Sequence, residues 1–267
     1  MLKLFTPPWI SYRSYEDSDG QFALIGNAKL HELIFIEDFH VNIMNEIVLL
    51  GLQKNDILNK YPEHRDDANN IIEELIENEI LITQLPTNKN SKSTAYPNPL
   101  PNPFGDEEKS ADYIALESMA SARIERAGYL FSFFWEITYK CNEACIHCYN
   151  PGAAHKKGDK NKRKTDLISK NETIELLDDL VKIGVFRITL SGGEAFLHKD
   201  FFFIMEEAKK RNFQVMIFTN GLLLNDKNLD KLEALYPDDV GITIYPDSEQ
   251  RHDDITRIKG SCLLYTS

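Results

Sequence analysis

Cys141, Cys145 and Cys148 stand in a C-x3-C-x2-C array, so three of the chain's four cysteines fall within eight residues. Thiolates are soft ligands that suit iron–sulfur clusters or zinc. A closed structural zinc site wants four ligands, so His147 or His155 would have to complete one here. A cubane held by three cysteines instead leaves one iron open to a small molecule. Four cysteines in 267 residues do not suggest a disulfide scaffold. A metal or redox role is the reading to pursue.

Other short motifs carry weaker signals. Ser191-Gly192-Gly193-Glu194 joins two glycines to a carboxylate. Glycines let backbone approach a ligand closely, and a carboxylate there can hold an ammonium group; standing alone, the pair would read as a turn. Thr219-Asn220-Gly221 and Gly241-Ile242-Thr243 recur at similar places further on.

The elements that must position these residues follow a simple order. Strand 131–138 leads into the cysteine loop. Helix 172–183, capped by Asn171 and stopped by Gly184, is followed by strand 186–190. Helix 201–211, with Asp200 as cap, precedes strand 214–218; a helix near 228–235 precedes strand 240–244. Alternating β and α segments predict a parallel sheet or barrel, with ligands at the C-terminal strand ends. The cysteines, the Gly-Gly-Glu motif and the Thr-Asn-Gly motif all fall at such ends.

With the cysteines in that context, residues 131–261 resemble the radical S-adenosylmethionine superfamily, whose hallmark is C-x3-C-x-aromatic-C after strand one. The resemblance implies that Cys141, Cys145 and Cys148 hold three irons of a 4Fe-4S cluster, the fourth iron chelating S-adenosyl-L-methionine. It implies that Gly192, Gly193 and Glu194 line the methionine amino group. His147, at the usual aromatic position, would pack near adenine, with the Tyr149 backbone on the base and Thr243 facing the cofactor. The implied chemistry is one-electron cleavage of S-adenosylmethionine to methionine and a 5′-deoxyadenosyl radical, which takes hydrogen from a substrate. No acid–base pair or nucleophilic triad is evident, and this chemistry needs none. An external one-electron reductant is implied as a partner. Ala195 departs from the proline common after Gly-Gly-Glu, and Pro246 breaks the pattern after strand four. The implied fold is α/β, a partial (β/α)6 TIM-like barrel with about four units present.

His252-Asp253-Asp254-Ile255-Thr256-Arg257-Ile258-Lys259-Gly260-Ser261 resembles H-D-x-I-T-x-x-x-G-S, seen in peptide-maturing members; the bland alternative is a charged loop entering a helix cap. Arg257 could reach the cofactor carboxylate or be solvated. Residues 1–85 read as a small α+β winged-helix-like domain. Strands 22–25 and 32–36 come first, then helices 39–50 (Asp38 as cap, Gly51 as stop), 55–61 and 65–78, and a closing strand at 80–82. This unit resembles the pyrroloquinoline-quinone biosynthesis protein D family, which implies precursor-peptide recognition; a purely structural appendage is the alternative. It carries six basic against fifteen acidic residues, so a DNA-binding role is not expected. A peptide could add a strand to the edge near 22–36.

Residues 86–112, with five prolines, predict a linker, and 113–127 a helix leading into a core domain spanning 113–267. The basic loop 155–164 reads as solvated, or as an attractant for an acidic peptide. Net charge is −12, which argues against a nucleic-acid partner. No apolar run approaches the roughly 18 residues of a membrane span, and Met1–Phe5 run straight into Thr6-Pro7-Pro8 without a signal core. A cytoplasmic protein with no membrane partner is expected. A non-enzymatic zinc or peptide-binding protein, or a radical enzyme acting on a small molecule, are the competing readings. The family barrel has about six units, so a C-terminally truncated chain is expected. The final Cys262-Leu263-Leu264-Tyr265-Thr266-Ser267 can be read as translation of TGTCTCTTATACACATCT, which resembles a transposon end used in sequencing libraries. On that reading 262–267 are artefactual and Cys262 is no ligand.

Overall fold

The structure, a computed structural model, describes residues 3–30, 32–83, 107–149, 168–245 and 248–261. Residues 86–106 of the expected linker, the basic loop 155–164, Pro246 and residues 262–267 lie outside the described residues, and the linker's last six residues, 107–112, are instead the start of a helix. Contacts divide the chain into Met1–Tyr129 and Leu130–Ser267.

In the first unit β1 (Ile10–Asp17), β2 (Gly20–Asn27) and β3 (Glu32–Glu37) form an antiparallel sheet in that order. Successive side chains point to opposite faces, yet Phe22, Ala23, Leu24 and Ile25 are all buried, so both faces are covered. On one face the Tyr12 hydroxyl donates to Asn45 Oδ1 of α1 (Asp38–Val48) at 2.8 Å. Helices α2 (Lys54–Lys60) and α3 (Arg65–Glu77) follow, with Ala68, Ile71, Ile72 and Leu75 forming the buried stripe of α3. The other face meets α4 (Glu107–Arg126). Arg123 donates to Asp17 at 2.8 Å and Glu37 at 2.6 Å, and its guanidinium lies 4.2 Å from the Phe22 ring centre.

Four local expectations change. Strand β1 was not foreseen, because buried Ser11 and Arg13 hide its alternation. Residues 80–82 supply a single bridge, Ile82 to Phe5, rather than a strand. Asp38 does not cap α1: strand β3 runs directly into the helix, Glu37 takes the cap position without a side-chain bond, and Asp38 has φ of 51°. Helix α4 groups with the first unit, because Arg123 ties it to β1 and β3.

The second unit alternates strand and helix as expected. Its strands are β4 (Ser132–Thr138), β5 (Arg187–Gly192), β6 (Gln214–Thr219) and β7 (Asp239–Ile242). They pair in parallel in that order. Helices α5 (Lys170–Lys182), α6 (Phe201–Lys210), α7 (Asp226–Leu235) and α8 (Glu249–Thr256) intervene or follow. Trp135, Ile137, Ile188, Leu190, Val215 and Ile217 face a core shared with Leu177, Leu180, Ile204, Met205 and Leu232. The opposite sheet face carries Phe134 and Phe218, 51% and 44% exposed and in edge contact at 6.0 Å. This is the α/β, partial-barrel architecture the sequence implied. The cap of α5 is Ser169, not Asn171: the helix starts two residues earlier, with Glu172 N donating to Ser169 Oγ and Ser169 N to Glu172 Oε2.

Candidate cluster and cofactor site

The site begins where β4 ends. Thr138 O accepts from Gly193 N at 2.8 Å and Lys140 O from Glu194 N at 2.7 Å. The two glycines have a physical reason at this junction. A Cβ on Gly192 would lie 2.1 Å from Thr138 O, and one on Gly193 2.2 Å from Lys140 O. Gly192 also has φ of 139°, a region L side chains rarely adopt. The glycines therefore let the β5 end pack directly on the backbone that starts the cysteine loop.

Glu194 is fully buried. Its Oε1 accepts from Thr219 Oγ1 at 2.8 Å and Phe196 N at 3.1 Å, and its Oε2 accepts from Asn220 N at 2.8 Å. Burial pushes this carboxyl above its ordinary range despite those donors. Asn220 Nδ2 continues the chain of bonds to Asn142 Oδ1 at 2.7 Å, inside the cysteine loop. The ends of β5 and β6 are thus tied to residues between Cys141 and Cys145.

Within the loop, Cys141 and Cys145 are half-buried and Cys148 is exposed. Glu143, itself buried, donates its N–H to Cys141 Sγ at 3.4 Å and lies 3.4 Å from Cys145 Sγ through Oε2. Burial, then Glu143, pushes the Cys145 thiol up to about 12; burial also raises Cys141. Thiols become ligands only as their protons leave, so a metal centre would work against this shift.

The expected adenine-side residues lie at the same end. His147 Nε2 is 2.8 Å from the Tyr245 hydroxyl, the rings meeting edge-on at 5.1 Å. The Tyr149 hydroxyl donates to Glu136 Oε1 at 2.6 Å, and this bond pushes the phenol up to about 12. Thr243 lies just past the end of β7, its N–H donating to Thr219 O at 3.2 Å. The site residues expected from sequence thus sit at the C-terminal edge of the parallel sheet.

The loop has a further anchor. Ala144 N donates to Thr256 O and Ile146 N to Ile255 O, both at 3.0 Å, so the end of α8 grips the backbone on either side of Cys145. Glu136, Asn142, Glu143 and Tyr245 also escaped the sequence reading. Glu136 had a signal, a charge amid the apolar run Phe133–Ile137 of β4; a buried acid inside a cysteine triplet had none.

The donor set fits a 4Fe-4S cluster. Three soft thiols stand within eight residues on one loop, and a cluster takes one thiolate per iron rather than three at one ion. Among the described residues, no three His, Cys, Asp or Glu side chains converge on a single-ion site.

Residues 135–261 match the Radical SAM superfamily. The chain is 30% identical over 127 residues to mycofactocin maturase MftC of Mycolicibacterium smegmatis, covering 48% of this chain and 30% of the relative. It is 30% identical over 110 residues to the same maturase of Mycobacterium ulcerans, covering 41% and 28%. In fold it is similar to Streptococcus suis SuiB bound to precursor peptide SuiA. The TM-score is 0.51 at 11% identity, over 95% of this chain and 51% of that one. The chain spans under a third of those curated relatives and about half of that structure. No helix among the described residues is long and apolar enough to cross a membrane. The thiol loop at the strand ends thus lies inside the stretch, residues 135–261, that matches the radical SAM superfamily.

Proposed function

We propose that this chain carries the core of a radical S-adenosylmethionine enzyme acting on a ribosomally made precursor peptide. The observation that carries the chemistry is the cysteine loop pinned at the sheet's C-terminal edge by Gly193, Asn220 and the end of α8. Cys141, Cys145 and Cys148 would hold the cluster. The loop's remaining face, with His147, Tyr149, Thr243 and the backbone of Gly192 to Glu194, would seat S-adenosyl-L-methionine. When bound, the pair supplies a 5′-deoxyadenosyl radical after one electron enters from an external reductant.

The chain's own residues do the rest. Thiol protons leave as ligands form. Glu194 and Asn220 hold the strand ends so that the loop cannot drift. Phe134 and Phe218 give the open sheet face an apolar wall that would exclude water from a reactive species.

The peptide reading rests on the first unit and on the relatives. Strand β3 is the last in its sheet, so its outer edge suits addition of an extended peptide strand. The excess of acidic residues suits a peptide better than phosphate. The relatives named above include a maturase, and the structure of similar fold was solved with a precursor peptide. A cytoplasmic setting would suit both reductant and peptide.

The test is anaerobic reconstitution with iron and sulfide, followed by dithionite and S-adenosylmethionine. A brown protein that forms 5′-deoxyadenosine supports the chemistry. Retained zinc with no iron chromophore overturns it in favour of a zinc or peptide-binding protein. Product from a small molecule, with no retention of any short peptide encoded beside the gene, overturns the peptide assignment alone.

A further inference from the structure

The last turn of an α-helix leaves carbonyls with no intrahelical partner. In α8 two of these, Ile255 O and Thr256 O, accept from Ile146 N and Ala144 N. Those two amides flank Cys145 directly. The residues beyond the helix are locked in turn. Asp253 Oδ2 accepts from Gly260 N at 2.6 Å and Oδ1 from Ser261 Oγ at 3.3 Å. Thr256 Oγ1 lies 2.9 Å from Ser261 Oγ and donates to His252 O at 3.0 Å. Thr256 and Ser261 are 0% and 1% exposed. The chain reverses through Arg257 and Gly260, with φ of 58° and 80°, and Asp253 is the side chain that closes the reversal.

We propose that Asp253 and Thr256 are positioning residues for the cysteine loop. They fix the end of α8 so that its free carbonyls hold the backbone on both sides of Cys145 at the orientation a ligand needs. The motif His252 to Ser261 then has a mechanical role in the cluster site, beyond any contact with substrate. The proposal rests on the radical SAM reading for the ligand, but the grip itself is a property of the polypeptide. A carboxylate outside the ligand shell that orients a ligand acts as hydrogen-bond partners of metal ligands do elsewhere, where their loss costs about 10- to 100-fold in affinity.

The experiment compares wild type with Asp253→Ala, Asp253→Asn and Thr256→Val, using the full chain in two states. In the iron-free protein, hydrogen exchange is read by mass spectrometry. The expected result is faster exchange in peptides covering 141–149 and 252–261 for Asp253→Ala and Thr256→Val, with the rest of 130–245 unchanged. Asp253→Asn, which keeps an oxygen for Gly260 N, is expected to restore protection. In the reconstituted protein, Asp253→Ala is expected to lose iron to a chelator about 10-fold faster, with an altered electron paramagnetic resonance spectrum. Wild-type protection of 141–149 in both Asp253→Ala and Thr256→Val overturns the proposal. If Asp253→Ala loosens the whole unit, Thr256→Val decides, since it removes only hydroxyl bonds. A wild-type chain that takes up no cluster overturns the radical SAM reading, and the exchange arm still decides the grip.

Discussion

Glu194 and Thr219 join the ends of two neighbouring strands: the Thr219 hydroxyl donates to the fully buried Glu194 carboxylate at 2.8 Å. The same carboxylate takes Asn220 N and Phe196 N, so every donor around it faces an oxygen. Replacing Glu194 by Gln would set an NH2 group against one of those donors. The expected cost is about 1–3 kcal/mol of stability, read by urea unfolding. The carboxyl is raised by burial. A carboxyl raised in the folded state contributes most below its ordinary value and loses that contribution as pH rises through the folded value. The wild type's margin over Glu194→Gln should therefore shrink with rising pH; a margin that grows rejects the burial account.

Gly193 tests the backbone packing at the loop's root. A Cβ would lie 2.2 Å from Lys140 O, too close to be absorbed without moving backbone. Gly193→Ala should cost about 1–3 kcal/mol and loosen residues 138–145. An unchanged melting temperature and unchanged amide protection there would show that the junction is not as tight as described.

Cys145 tests the ligand assignment. Cys145→Ala keeps the loop backbone and removes the half-buried thiol. Iron uptake after reconstitution should be abolished or reduced to a labile residue. A visible spectrum identical to wild type rejects the assignment of this residue.

Ser169 and Asn171 separate two possible caps for α5. Ser169 and Glu172 bond reciprocally, so Ser169→Ala should cost about 0.5–2 kcal/mol. Asn171→Ala should be close to neutral, because it lies within the helix. Thermal unfolding of the two variants side by side decides, and the reverse ranking would restore Asn171 as the cap.

The second unit was legible because its signals agree. Regular β and α periods, apolar alternation in residues such as Trp135, Ile137, Ile188 and Leu190, and motifs at successive strand ends all predict one architecture. The first unit was harder to read. Strand β1 buries Ser11, Arg13, Tyr12 and Tyr15, so burial there does not track hydrophobicity. The role of Gly192 and Gly193 was only half legible: two glycines signal a close approach, and which backbone approaches depends on how β5 meets Thr138 and Lys140. The grip of α8 was invisible, since main-chain bonds from Ala144 and Ile146 leave no mark in side-chain identity. The Asp253–Gly260 closure left a mark, but one that reads equally well as a helix cap.

That grip has a consequence for biosynthesis. Ala144 and Thr256 are about 110 residues apart, and a ribosome working at roughly 5–20 residues per second needs on the order of 5–20 s to cross that interval. Throughout it the cysteines have left the ribosome's active centre while the segment that shapes their loop has not been made. A metal ion that meets the nascent chain early therefore finds loose thiols, and the loop takes its folded shape only once α8 has docked.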